Sequence, residues 1–162
     1  MRVAVVGGTG LVGRHVVEIL ERKGHQPVSV SRSTGVDVTT GVGLDDALRD
    51  VAAVIDVTNT RATQFFEFAQ MVVSWTRHGD IAVVPPLLMR PVAVTDVADA
   101  LADLAVGSPQ GRASELAGPA TADLVDMVRR VLAARGDAQQ HEADLKPGVP
   151  QAGTVGRTFS DG

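Results

Sequence analysis

"VAVVGGTGLVGRHVVEILERKGH", residues Val3 to His25, places glycines at three-residue spacing between an apolar run and an amphipathic one. Before the glycines, Arg2 to Val6 is a short β-branched run that suits a strand buried on both faces of a parallel sheet. After them, Leu11 to Lys23 carries Val12, Val16, Ile19 and Leu20 at helical spacing, with Arg14, Glu18, Glu21 and Arg22 on the outer side. Gly24 is placed to end that helix as a left-handed cap. Pro27 to Ser31 reads as a second strand, so the stretch forms one βαβ unit.

The glycines satisfy two patterns at once: Gly8, Gly10 and Gly13 match G-x-G-x-x-G, while Gly7, Gly10 and Gly13 match G-x-x-G-x-x-G. Either pattern makes the same demands. One glycine permits the sharp exit from the strand, one lets a diphosphate approach the backbone, and one lets the helix pack closely on the sheet. Thr9, Gly10, Leu11, Val12 and Gly13 then form the loop and first helical turn, whose unpaired amides face such an anion. The spacing alone is a weak signal, and its position inside a βαβ unit is what points to a dinucleotide site. Ser31-Arg32 close the second strand about 20 residues after the last glycine, where an NAD site would offer an acid to the ribose 2′-hydroxyl. Arginine suits a 2′-phosphate instead, because its planar guanidinium meets phosphate oxygens in paired hydrogen bonds. The expected cofactor is NADP(H), with NAD(H) as the alternative; the plain reading of Arg32 is a solvated residue at a strand end.

Farther along, a short strand is expected at Val36 to Val38, a short helix whose core face includes Leu44, Ala47 and Leu48, and a central strand at Val54 to Val57. Asp45 and Asp46 open that short helix and face water. The alternation of strands and helices predicts an α/β fold, a Rossmann-like doubly wound parallel sheet. Thr63 to Arg77 reads as an apolar helix ended by His78-Gly79, with Phe65, Phe68, Val72 and Trp75 as a stripe that is more often core than a substrate wall. Strands are expected at Ile81 to Val84 and Val92 to Val94. Asp96 is placed to cap a helix over Val97 to Val106, with Asp99 favouring its positive end, and Thr121 to cap Leu124 to Ala134. From about Lys146 periodicity is lost and a loose tail is expected.

Composition bounds the function. The 162 residues are 21% charged and 44% apolar, as in an ordinary globular domain, and no apolar run approaches the roughly 18 residues that span a bilayer. The start, Met1-Arg2-Val3, has no signal-peptide pattern, so the mature chain is expected to begin there. With no cysteine, disulfides and thiolate chemistry are excluded, and a cytoplasmic location is expected. A net charge of -4 without clusters of lysine or arginine gives no footprint for nucleic acid. His15, His25, His78 and His141 are scattered without metal-site spacing, and Ser74, Ser108, Ser114 and Ser160 lack the context of an activated nucleophile; no metal is expected.

Val3 to Gly13, Ser31-Arg32, Asp37-Val38, VIDVTNT at Val54 to Thr60, RATQF at Arg61 to Phe65 and PVAVTDVADAL at Pro91 to Leu101 together resemble the atypical short-chain dehydrogenase/reductase superfamily, in particular its NmrA-like, NAD(P)H-binding branch. The resemblance runs in order through nearly the whole chain. It implies that Asp37 and Val38 lie beside the adenine, that Thr58 and Asn59 pass the riboses, and that Arg61 to Phe68 line the substrate side. In the family pattern Asp96 is chiefly a helix cap. Residues 1–60 would form the dinucleotide-binding half and 61–162 the remaining, substrate-side segment of a single domain.

The resemblance also exposes a gap. Family members carry further βα units, each of about 30 residues, where Thr60 and Arg61 are here adjacent. The chain is therefore an internal deletion, lacks a stretch of the full sequence, or evolved without it; the in-frame resumption at Arg61 favours the first two. An uncovered sheet edge would follow, which invites a homodimer. The Tyr-x-x-x-Lys pair of catalytic members is missing: the chain has no tyrosine, and its lysines are Lys23 and Lys146. The expected function is an NADP(H)-binding oxidoreductase of unreadable substrate without an assignable catalytic residue. The alternatives are a non-enzymatic NAD(P)-dependent redox-sensing regulator and a catalytically inactive deleted form.

Overall fold

The computed structural model describes residues 1–59, 62, 64–78, 81–109, 111–113 and 115–134. The Thr60–Arg61 junction, His141, Ser114, Ser160 and the tail around Lys146 lie outside them. The chain divides into two compact units, one of residues Met1–Phe68 and Met89–Thr121, the other of Ala69–Leu88 and Ala122–Gly162.

The first unit is an α/β fold of Rossmann-like, alternating β-α units around a three-stranded parallel sheet. Strand β1 (Arg2–Val6) lies between β2 (Gln26–Val30) and β3 (Ala53–Asp56), in the order β2-β1-β3. The register pairs Ala4 with Val28 on one side and with Val54 on the other. Helix α1 (Leu11–Arg22) carries the chain from β1 to β2, and α2 (Leu44–Ala47) precedes β3.

Alternation along β1 divides the core in two. Val3 and Val5 face one layer, with Val16, Ile19 and Leu20 of α1, Ile55 of β3, and Ala98 and Ala102 of α4 (Val94–Val106). Ala4 faces the other, with Val30, Val36 and Ala47. All three β1 residues are fully buried, as a strand covered on both faces requires. Leu44 and Leu48 pack beside Ala47, and Asp45 and Asp46 are exposed, as the sequence predicts. On the rim, Lys23 at the end of α1 pairs with Asp103 and, at 3.8 Å, with Asp99 of α4.

Gly24 takes φ +79 just past α1, and its amide bonds the Glu21 carbonyl at 2.9 Å, so the left-handed stop is present. Elsewhere boundaries move. The expected strand at Val36 to Val38 reduces to a single antiparallel bridge between Asp37 and Val42. Val57 leaves β3 and opens a 3-10 turn through Asn59. Val92 forms a parallel bridge with Phe65, and Val94 already belongs to α4. Because α4 starts there, its N-cap is Ala93. Asp96 is the third helical residue and Asp99 lies mid-helix, where it meets Lys23 rather than the helix start.

In the second unit, α3 (Phe68–Thr76, whose first residue belongs to the first unit) is followed by the antiparallel pair β4 (Arg77–His78) and β5 (Ile81–Ala82). Two-residue strands β6 (Leu88–Met89, whose second residue belongs to the first unit) and β7 (Ala122–Asp123) and helix α5 (Leu124–Ala134) complete the described elements. The helix expected over Thr63 to Arg77 starts only at Phe68, so Phe65 is not on it and the aromatic stripe is broken. The buried face of α3 is Ala69, Val72 and Val73, and Trp75, off that face, is 63% exposed. The cap of α5 is Asp123 rather than Thr121: its Oδ1 accepts the Val125 N–H at 2.8 Å. Among the described residues no helix is long and apolar enough to cross a membrane.

Candidate functional site

The carboxyl ends of β1, β2 and β3 open onto one cleft of about 360 Å³. Its wall includes Val6 and Gly7 at the end of β1, Val30, Ser31 and Arg32 at the end of β2, Asp37, Val38 and Thr39 beyond, and Thr58 after β3. Parallel strands that alternate with helices put their loops at one edge, and there ligands bind in folds of this kind.

The glycine turn is built by close approach. Gly13, in the first turn of α1, has no room for a side chain: a Cβ there would stand 2.1 Å from the Gly7 carbonyl oxygen. Gly7 has φ +78, and a Cβ on it would meet Val57 Cγ2 at 2.7 Å. Gly8 packs on β2, where a Cβ would meet Ser29 Oγ at 2.8 Å. Gly10 differs. Its backbone is extended, and an added Cβ would meet only the Gly7 carbonyl oxygen, at 3.2 Å. Of the two spacings, Gly7, Gly10 and Gly13 thus divide the turn, the open approach and the helix packing between them, and Gly8 adds a contact to β2.

Gly10 caps α1 without a side chain, and the first helical bond runs from the Arg14 N–H to the Gly10 carbonyl at 3.1 Å. The amides of Leu11, Val12 and Gly13 precede that ladder, and no acidic residue stands in the first turn. The positive end of α1 thus meets no acidic side chain from its own first turn.

The segment after β2 is held by its own hydroxyls. Thr34 Oγ1 accepts the Ser31 N–H at 3.1 Å and shares its one proton between the Ser29 carbonyl of β2, at 3.0 Å, and the Ser31 carbonyl, at 2.9 Å, while Gly35 turns the chain with φ +82. This 3-10 turn over Arg32–Thr34 carries Arg32 on the cleft wall. Its exposed side chain has no hydrogen bond or ion pair among the described residues. Asp37 uses one carboxylate oxygen to accept the Thr39 N–H at 2.8 Å.

Of the residues expected from sequence, Gly7, Ser31, Arg32, Asp37, Val38 and Thr58 share the cleft wall. Thr9 joins them through a 3.4 Å hydrogen bond from Ser33 Oγ. Gly10, Leu11, Val12 and Gly13 stand at the head of α1, outside that wall, and the side chain of Asn59 lies outside the described residues. Sequence reasoning passed over Val6, Val30, Val36 and Thr39. Val6 and Val30 end their strands and could have been found by the rule that sites lie at strand ends. Thr39 follows the Asp-x-Thr pattern of an Asx turn. Among the described residues no cluster of His, Asp or Glu could hold a metal ion.

No protein-family model matches this chain, and no curated protein sequence matches it.

Proposed function

We propose that the cleft binds NADP(H) and that the chain is an NmrA-like member of the short-chain dehydrogenase/reductase superfamily. The observation that carries this reading is the placement of Arg32 on the same cleft wall as Gly7, one turn before the head of α1. The residues fit the group. Gly10 leaves the backbone open where a diphosphate would approach, the α1 amides and dipole favour its charge, and Arg32 offers paired donors to a 2′-phosphate. A cleft of about 360 Å³ lies within the usual range of roughly 300–1,000 Å³ for small-ligand sites. Asp37 and Val38 would flank the adenine, and Thr58 and Asn59 the riboses.

When bound, the nicotinamide would supply the hydride chemistry, and this chain would hold and orient it. The chain's own residues bind the anionic groups at two positively polarised places, the α1 amides and the Arg32 guanidinium. A cysteine-free chain of this kind is suited to the reducing cytoplasm.

One observation favours a second reading. The chain has no tyrosine, and neither lysine stands in a Tyr-x-x-x-Lys pair. A protein that binds NADP(H) without turning it over would act as a redox-sensing regulator, or be an inactive deleted form. The deciding experiment is titration calorimetry with NADP⁺ and NAD⁺, followed by NADPH consumption with quinones, carbonyls and azo compounds. Heat with NADP⁺ and turnover of any of these supports the oxidoreductase. Heat without turnover supports the sensor, and no heat with either nucleotide ends both.

A further inference from the structure

Thr58 stands where the chain leaves β3, on the wall of the cleft, with its hydroxyl bonded to Asp56. Asp56 Oδ1 accepts the Thr58 N–H at 3.0 Å and the Thr58 hydroxyl at 2.6 Å. An O–H···O⁻ contact of that length falls in the charge-assisted range. The methyl faces the glycine turn: Thr58 Cγ2 lies 3.3 Å from where a Cβ on Gly7 would sit. A threonine hydroxyl owns one proton and two acceptor lone pairs. With its proton given to Asp56, Thr58 Oγ1 can only accept.

We propose that Asp56 is a positioning residue that makes Thr58 an acceptor-only group, so that the ligand atom docking on it is a hydrogen-bond donor. This rests on the NADP(H) reading above, within which the donor is the 3′-hydroxyl of the adenosine ribose. The diphosphate and the 2′-phosphate present acceptor oxygens, which an acceptor-only Thr58 cannot bind. The other donors of the dinucleotide are the adenine amine and the hydroxyls and carboxamide of its nicotinamide half, but Thr58 shares its wall with Gly7 and Arg32, between the proposed diphosphate and 2′-phosphate positions. The ribose is what lies between the diphosphate and the 2′-phosphate that Arg32 would hold.

The test is calorimetric titration of the full chain with adenosine 2′,5′-bisphosphate and with its 3′-deoxy counterpart. Wild type is expected to prefer the 3′-hydroxyl probe by about 5- to 10-fold, the range of one well-placed hydrogen bond. Thr58→Val erases that preference to within about twofold and Thr58→Ser keeps it. Asp56→Ala lowers the preference to about two- to threefold by freeing the hydroxyl to rotate, and has no further effect on a Thr58→Val background; Asp56→Asn, which retains an acceptor oxygen, restores it. Equal binding of the two probes by wild type, or an Asp56→Ala loss that is the same with Val at position 58, overturns the inference and leaves the NADP(H) reading standing. An absence of heat from wild type with either probe or with NADP⁺ overturns both.

Discussion

Ser33 Oγ approaches Thr9 Oγ1 to 3.4 Å, so the turn after β2 and the glycine turn after β1 are joined by hydroxyls beside the cleft. The contact is at the long end for a hydroxyl pair. A double-mutant cycle with Thr9→Val and Ser33→Ala should therefore return a coupling in stability below about 0.5 kcal/mol. A larger value in urea unfolding would mean that this tie, rather than the Thr34 bonds, holds the segment.

Gly13 and Gly10 should separate stability from binding. Gly13→Ala puts a methyl onto the Gly7 carbonyl, and urea unfolding should show a loss of about 3 kcal/mol or more. Gly10→Ala has allowed backbone angles and one 3.2 Å contact, so stability should change by less than about 1 kcal/mol. On the proposed function it should nonetheless weaken NADP⁺ binding about tenfold or more, because the methyl stands where the diphosphate approaches. Unimpaired binding by Gly10→Ala would place the anion elsewhere.

Arg32 is exposed and has no partner among the described residues, so its removal should leave the fold intact. Arg32→Ala should weaken NADP⁺ about 10- to 100-fold and NAD⁺ less than about threefold, as expected when charge-assisted bonds to the 2′-phosphate are lost. Equal losses for the two nucleotides, measured by calorimetry, would remove Arg32 from the phosphate site.

Asp123 and Thr121 make a paired test of the α5 cap. Asp123→Ala removes the acceptor of the Val125 N–H and should cost about 1 kcal/mol in thermal or urea unfolding. Thr121→Ala should stay within about 0.5 kcal/mol. The reverse ranking would return the cap to Thr121.

Lys23, at the end of α1, meets Asp99 and Asp103 of α4 on a partly solvated rim. Lys23→Ala should destabilise by about 1 kcal/mol or less at low salt. The difference from wild type should shrink as ionic strength rises, because added ions screen such pairs. A salt-independent loss would point to packing of the lysine stem.

The sequence by itself determined the βαβ unit at the head of this protein and the strand after it. Val3, Ala4 and Val5 are all apolar because β1 is covered on both faces, and Val16, Ile19 and Leu20 recur at the period of a helix with one buried side. Those are local patterns, and a chain carries them wherever it folds. Arg32, Asp37 and Thr58 could be named as candidates from position and from the family resemblance, but nothing in their spacing says that they share a wall. Only the tertiary structure decided that, by bringing three strand ends to one edge. The roles of the glycines were likewise settled by distances between segments: Gly13 abuts the Gly7 carbonyl, whereas Gly10 is nearly open. The start of α3 and the caps of α4 and α5 escaped the sequence because several neighbouring residues can serve as a helix start. The winner there is set by where the chain enters the helix, which follows from the parallel pairing of Phe65 with Val92 and the hydrogen bond at Asp123.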